Sequence, residues 1–337
     1  MADLDDPTPS TPSTHRLADA VDTALDRSVV GGFTAFGYAV RRRLPTWPAD
    51  PAPGALAGRR IIVTGSSSGL GQRCAADLLA LGAEVLMVVR DVEKGERAAD
   101  AVRRDVRGVP GAGAPEVWHC DVSDLDSVRI LATSLLATGK PLHGIVHNAG
   151  SLPETRTESV QGHELTMALH VLGPVLMTEL LLPALSGHGA RVVFVASGGM
   201  YTQPLPSRDP EFLRGDYEGS VAYARSKRGQ VELLPELAAR WGAHDIAVDA
   251  MHPGWAATPG LTSSLPRFER VLRPALRSDT VGADTTAWLL AAEPSPPSGL
   301  FWHDRKPRPT SYLSRTRPTA ADRKAFWDWV VASVDLD

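Results

Sequence analysis

From Arg60 onward, short apolar runs alternate with stretches of helical spacing. The runs are IIVTG (Ile61 to Gly65), EVLMVV (Glu84 to Val89), EVWHC (Glu116 to Cys120), GIVHN (Gly144 to Asn148), RVVFVAS (Arg191 to Ser197) and IAVDAM (Ile246 to Met251). Continuous runs of this kind, without strict polar alternation, suit strands buried on both faces of a parallel sheet. Between them, Cys74 to Leu81, Leu125 to Leu136, Val171 to Leu185 and Tyr223 to Trp241 space their apolar residues as helices do. The alternation predicts an α/β fold with a doubly wound parallel sheet. GLFWH (Gly299 to His303) is a weaker strand candidate at the sheet's end. Thr319 to Val334 reads as a final helix, capped by Thr319 with Asp322 three residues on.

The chain before Arg60 follows a different pattern. Residues 1–16, beginning MADLDDPTPSTPSTH, are polar and rich in Pro, Ser and Thr, and are expected to form a disordered tail. Residues 17–58 form an extension and linker, and residues 59–337 form one Rossmann-type domain. Within the extension, VVGGFTAFGYAV is followed directly by Arg41, Arg42 and Arg43. The segment reads as an extension packed on the main domain. The alternative is a peripheral membrane contact through residues 17–44, with the arginines at lipid headgroups.

Composition narrows the function. The chain has 337 residues, 43% of them apolar, and a formal charge of −4, which leaves no electrostatic footprint for nucleic acid. Two cysteines, Cys74 and Cys120, are too few for a disulfide framework or a thiolate metal site, so no metal is expected and the setting is read as a reducing cytoplasm. No run is long enough to predict a membrane span, and the acidic start does not read as a signal peptide.

The first strand ends in TGSSSGLG, and a helical pattern follows at once. Phosphate binding at such a turn requires a sharp bend, bare backbone for close approach, and the free N–H groups of a helix N-terminus. Gly65, Gly69 and Gly71 supply these within the turn made by Thr64, Gly65, Ser67, Ser68, Gly69, Leu70 and Gly71. A glycine cluster alone is weak evidence. The end of the second strand carries Val89 where a carboxylate would select NAD, and Arg90 follows, whose guanidinium can hold a 2′-phosphate. The cofactor read from this is NADP(H). Surface pairing of Arg90 with Asp91 or Glu93 is the plainer alternative.

Tyr223 and Lys227, four apart on a predicted helix, project from one face. Carbonyl reduction by hydride transfer needs a proton donor at the developing oxyanion, and a phenol becomes a better one when a nearby ammonium lowers its pKa. Tyr223 is assigned the proton transfer, Lys227 the tuning charge, and Ser197 the hydrogen bond to the substrate oxygen. Tyr201 is a weaker alternative phenol.

With these motifs in this order, the chain from Arg60 to about Tyr312 resembles the short-chain dehydrogenases/reductases. Within that family it is most similar to the dehydrogenase/reductase member-12 branch, through ASGGM at Ala196 to Met200, MHPGWAATPG at Met251 to Gly260 and FWHDRKP at Phe301 to Pro307. The resemblance implies that Asp121 and Val122 border the adenine, and that Asn148, Ala149 and Gly150 support the cofactor. It also implies that Lys227 binds the nicotinamide ribose and that Pro253, Gly254 and Thr258 fold over the nicotinamide and phosphates. One position departs from the family: His170 stands where an asparagine usually holds a proton-relay water, which leaves relay and passive packing both open. Oligomers in the family often form through the long helices, so a homodimer or tetramer is expected.

Tyr201 to Gly219 and Leu261 to Arg277 lack strand patterning and read as lids over the pocket. In the second, Leu261, Leu265, Phe268, Leu272 and Leu276 recur at helical spacing, with Arg267, Arg270 and Arg277 for another face. The plainer reading is an amphipathic helix packed on the domain; an apolar face turned to the pocket instead implies a lipophilic ketone, aldehyde or alcohol. Mixed charge at His303, Asp304, Arg305 and Lys306 argues against a metal there and for a tether. The whole reads as an NADP(H)-dependent carbonyl–alcohol oxidoreductase. A dinucleotide-binding redox sensor with little turnover is the alternative, and an epimerase on the same fold is a more distant one.

Overall fold

The computed structural model describes residues 12–28, 30–256 and 275–336. Three helices open it: α1 (Pro12–Arg27), α2 (Val30–Phe33) and α3 (Ala35–Arg41). Strand β1 (Arg60–Thr64) leads through the glycine turn to α4 (Gly69–Ala80). There follow β2 (Glu84–Val89), α5 (Val92–Asp105), β3 (Pro115–His119), α6 (Leu125–Ala137) and β4 (Gly144–His147). The long helical region that comes next is broken into α7 (Leu165–Met167), a π-turn over Ala168–Leu172, α8 (Gly173–Leu180) and α9 (Leu182–Leu185). Strand β5 (Ala190–Val195), α10 (Gly219–Glu232), α11 (Leu234–Gly242) and β6 (Ile246–Met251) complete the alternation. Helix α12 (Asp279–Ala291), β7 (Phe301–His303), β8 (Lys306–Pro307) and α13 (Ala320–Val334) end it.

The sheet runs β3-β2-β1-β4-β5-β6-β7-β8, parallel except for the final antiparallel pair. Each parallel strand splits its side chains between two cores. Ile62, Leu86, Val88, Val192 and Phe194 face one core, under α6, α8 and α11. Ile61, Val63, Val85, Met87, Val193 and Val195 face the other, under α4, α5 and α12. Burial on both faces is why the strands read as unbroken apolar runs. Because β1 lies between β2 and β4, chain direction across the sheet reverses there, and a crevice opens beyond the carboxyl ends of β1 and β4.

One expectation about the chain ends is corrected. Residues 12–16, placed in the disordered tail, belong to α1. The polar composition of that helix misled because its acids are neutralised by bases far away in sequence: buried Asp22 pairs with Arg41 at 2.7 Å and with Arg308 at 2.8 Å. Arg41, one of the arginines offered to a membrane, is itself buried, held by Asp22 and by Asp304 at 2.7 Å. Phe33 and Tyr38 are buried as well, so the extension turns much of its apolar surface inward. No helix among the described residues is long and apolar enough to cross a membrane.

At the other end, Thr319 caps α13 in a reciprocal box with Asp322. Phe326, Val330 and Val334 drive this helix into the core, where the Phe326 ring fills the space above Gly229 of α10 and meets the π-turn. Arg323 reaches Glu232 at 2.8 Å. Helix α13 thus packs on the π-turn and on the Gly229–Glu232 end of α10.

Candidate active site

A cavity of about 840 Å³ lies in the crevice at the ends of β1 and β4. The glycine turn forms one side. Gly65 has φ +66°, and a Cβ there would sit 2.7 Å from Ala149 Cα. At Gly71 a Cβ would meet the Asn148 amide nitrogen at 2.4 Å. Only glycine allows the turn and the β4 loop to close to this distance. Asn148 fixes that approach by donating to the Thr64 and Gly65 carbonyl oxygens at 3.0 and 3.3 Å, and Thr64 Oγ1 accepts from the Asn148 and Ala149 amides. Ser68 caps α4 without a side-chain hydrogen bond, which leaves the first-turn N–H groups of this helix available to an anion. This cradle fits a pyrophosphate.

Along the cavity wall lie Ser67, Ser68, Gly69, Leu70, Val89, Arg90, Asp121, Val122 and Gly150, all expected at the cofactor except Val89, which holds the discriminating position. Arg90 is largely exposed, and its ion pair is with Asp121 at a loose 3.9 Å, not with Asp91 or Glu93. Asp91 instead caps α5 by accepting from the Lys94 amide. Asp121 is steadied by the amide and hydroxyl of Ser123, at 3.0 and 2.6 Å. Pro253 and Gly254 line the opposite wall, whereas Thr258 lies outside the described residues.

Ser197, Tyr223 and Lys227 meet in the same cavity. Strand β5 delivers Ser197 into a short 3₁₀ turn over Gly198–Thr202, where its hydroxyl also accepts from the Gly199 amide at 3.2 Å. Helix α10 carries Tyr223 and Lys227 one turn apart. A hydrogen bond from Ser197 favours the Tyr223 phenolate, but burial outweighs it and the phenol is pushed up. Lys227 donates to the Val195 carbonyl at 2.8 Å, and burial brings its amine down to about 7. Burial thus dominates the phenol, opposite in direction to the depression expected from Lys227. Tyr201, the alternative phenol, donates to the Pro309 carbonyl at 2.9 Å and packs against Tyr312, away from the cavity.

His170 is fully buried in the π-turn. Ser226 Oγ spends its one proton on the Tyr223 carbonyl at 2.8 Å, so it must accept from His170 Nδ1 at 2.7 Å. That leaves Nε2 as the acceptor for the Ser151 amide, at 3.3 Å. The main-chain oxygen of His170 accepts from Gln230 Nε2 at 2.7 Å. Burial holds the imidazole well below its ordinary pKa. Both nitrogens and the carbonyl are therefore engaged within the protein, and the ring joins the catalytic helix to the loop after Asn148–Gly150. Sequence reasoning missed Ser226, Gln230 and Ser151, because the π-turn that aims His170 at them leaves no pattern in residue spacing.

Leu152, Leu165, Leu169, Val221 and Trp255 give the substrate side apolar surface, beside the polar Ser151, Thr202, Gln203 and Ser220. The first lid, Tyr201 to Gly219, is pinned by Glu211, which accepts from His163 Nδ1 and the Glu164 amide at 2.8 and 2.7 Å. Most of the second lid lies outside the described residues. At its end, Leu276 and Arg277 are buried, so Arg277 does not belong to an exposed helix face.

Comparison with known proteins agrees with this architecture. The family model described as short chain dehydrogenase matches residues 59–267. Dehydrogenase/reductase SDR family member 12 of Bos taurus is 36% identical over 79% of this chain and 83% of its own. Retinol dehydrogenase 14 of Homo sapiens is 31% identical over 82% of this chain and 86% of its own. A crystal structure of an uncharacterised protein from Mycobacterium Paratuberculosis superposes with a TM-score of 0.66, at 27% identity, covering 85% of this chain and 98% of that one. With its glycine turn and its serine, tyrosine and lysine gathered around one crevice, the chain belongs to the short-chain dehydrogenase family.

Proposed function

We propose that the protein is an NADP(H)-dependent oxidoreductase that interconverts a carbonyl and an alcohol on a lipophilic substrate. The observation that carries this reading is the convergence of Ser197, Tyr223 and Lys227 on the cavity that also holds the glycine turn. A bound nicotinamide supplies or accepts the hydride. The Gly65–Gly71 turn and the start of α4 would hold its pyrophosphate, Arg90 the 2′-phosphate, Asp121 and Val122 the adenine side, and Lys227 the ribose. Ser197 orients the substrate oxygen. Tyr223 gives it a proton as charge develops there, or takes one in the reverse direction. Leu152, Leu165, Leu169 and Val221 favour an apolar body on the substrate, in keeping with retinol dehydrogenase 14 among the relatives. The direct test is NADPH consumption against a panel of lipophilic and polar carbonyls. Turnover confined to short polar carbonyls would remove the lipophilic assignment.

Cofactor choice rests on Arg90. A charge-assisted hydrogen bond contributes about 1.5–3 kcal/mol, so Arg90→Ala is expected to weaken NADPH roughly 10- to 100-fold while NADH changes little. Equal affinity for both dinucleotides in the parent, unchanged in the variant, would assign the site to either cofactor.

A pH dependence follows from Lys227. Its amine, brought down to about 7 by burial, is protonated below that pH and neutral above it. Ribose hydroxyls and phosphate charge favour the ammonium, so binding takes up a proton at higher pH. The Kd for NADPH is expected to rise as pH passes through about 7, by at most about tenfold per pH unit for one proton. Lys227→Met should bind more weakly at low pH and flatten the profile. Fluorescence titration across pH checks this, and a flat profile in the parent would contradict it.

A further inference from the structure

Phe33 belongs to the N-terminal segment, before the stretch matched by the family model. Its ring nevertheless stands between two walls of the active site. On one side it packs over Gly198, beside Ser197, so closely that a Cβ on that glycine would lie 2.6 Å from the ring. On the other it meets Trp255 and His252 edge-on, with ring centroids 5.9 and 4.5 Å away. The Phe33 carbonyl accepts from the Trp255 amide at 2.8 Å. A Cβ on Gly254 would approach that same carbonyl to 2.7 Å.

Arg277 clamps the arrangement from beneath. Its guanidinium donates to the carbonyls of Gly32, Phe33 and Thr34 on the N-terminal side, and to that of Pro253 on the cavity side. Asp304 holds it bidentately, at 2.6 and 2.9 Å, and a further Asp304 contact at 2.7 Å ties in Arg41 of α3. All three charged side chains are buried. A planar guanidinium with this many fixed acceptors has little freedom to shift. The segments it joins are Gly32–Thr34, which carries the aromatic wedge, and Pro253–Trp255, which lines the cavity.

We infer that the N-terminal segment is a working part of the active site: Phe33 is a positioning residue that spaces the Ser197 turn from the Pro253–Trp255 loop, and so sets the grip on the nicotinamide half of the dinucleotide. The inference rests on the cofactor reading above. Without the ring, both walls can move into the space it leaves, and the loop must be ordered anew each time the nicotinamide binds.

The test uses the full chain and two probes, NADPH and adenosine 2′,5′-bisphosphate, the latter lacking the nicotinamide half. Phe33→Ala is expected to weaken NADPH about tenfold, the scale of ordering a short loop on binding, and to leave the bisphosphate unchanged. Leu131→Ala, a core truncation remote from the cavity, should lower the melting temperature without changing the ratio of the two affinities. An unchanged ratio in Phe33→Ala, or an equal loss of both probes, would overturn the inference while NADPH binding by the parent upholds the cofactor reading. Failure of the parent to bind NADPH would sink both. If Phe33→Ala does not fold, Phe33→Leu is measured in its place, with a smaller shift of the same ratio expected.

Discussion

Tyr223→Phe lowers kcat by about 10²–10⁴-fold while NADPH still binds, the range expected for loss of a positioned proton donor. The substitution removes one oxygen and keeps the ring that packs edge-on against His170 at a centroid separation of 5.3 Å. Fold and cavity shape should therefore survive, and the loss should fall on the chemical step. Neither neighbour can replace the phenol. Ser197 has too high an intrinsic pKa to protonate the substrate oxygen readily, and Tyr201 points toward Pro309. Water admitted to the vacated position could supply a proton, but without the orientation that α10 imposes. The measurement is steady-state kinetics on the best carbonyl of the panel, with NADPH affinity determined separately by fluorescence. Retention of more than half of kcat would remove Tyr223 from the chemistry.

Asp304→Asn should cost about 3–5 kcal/mol of stability, the penalty for leaving a buried charge without its partner. Asp304 is the only carboxylate paired with Arg277 among the described residues, whereas Arg41 keeps Asp22. The amide still offers one acceptor, but the charge that balances the Arg277 guanidinium is gone. For a domain of this size the loss corresponds to a fall in melting temperature of roughly 10 °C. Adding Arg277→Met to Asp304→Asn should recover part of it, because the uncompensated cation is then removed as well. Two neighbouring arginines and His303 hold the Asp304 carboxyl far below its ordinary value despite burial, which alone would raise it. A depressed carboxylate pKa stabilises the fold above the ordinary value and loses that contribution as pH falls. The contribution of Asp304 is thus complete at neutral pH and begins to decline below about pH 4. Thermal melts and denaturant titrations of the three proteins test this, and a change under about 1 kcal/mol for Asp304→Asn would show that the cluster is not balanced as described.

What the sequence disclosed depended on how local each signal was. The six long parallel strands were legible, with edges displaced by no more than two residues, because all but the half-exposed edge strand β3 are apolar runs buried on both faces. Helix α5 was passed over: Gly95, Ala98, Ala99 and Val102 are its buried residues, and small side chains among VEKGERAADAVRRD give a faint stripe. Helix α12 was missed for the opposite reason, since most of its residues are buried and no polar face marks a period. The short β8 pairs antiparallel over two residues, too few for a pattern.

In the site, the glycine turn and the Tyr223–Lys227 pair were readable because their spacing is local and their chemistry distinctive. Ser197 gained meaning only from its place at the end of β5. Arg277, Asp304 and Phe33 were not readable as a unit. Arg277 and Asp304 reach across 244 and 263 positions to Phe33 and Arg41, and each residue alone resembles an ordinary surface charge or core aromatic. His170 was recognised as a departure, but its role depended on the π-turn that directs Nε2 to Ser151.

The contact between Arg41 and Asp304 spans 263 positions of the chain, and that between Asp22 and Arg308 spans 286. On the ribosome, α1 and α3 emerge well before Asp304 and Arg308, their charged partners beyond β7. Until β7 and the turn after it are made, the buried charges of α1 and α3 lack Arg308 and Asp304. The charge network that fixes the first helices can thus close only after β7 is made, which leaves a chaperone that binds nascent α1 to α3 the synthesis of the intervening strands in which to hold them.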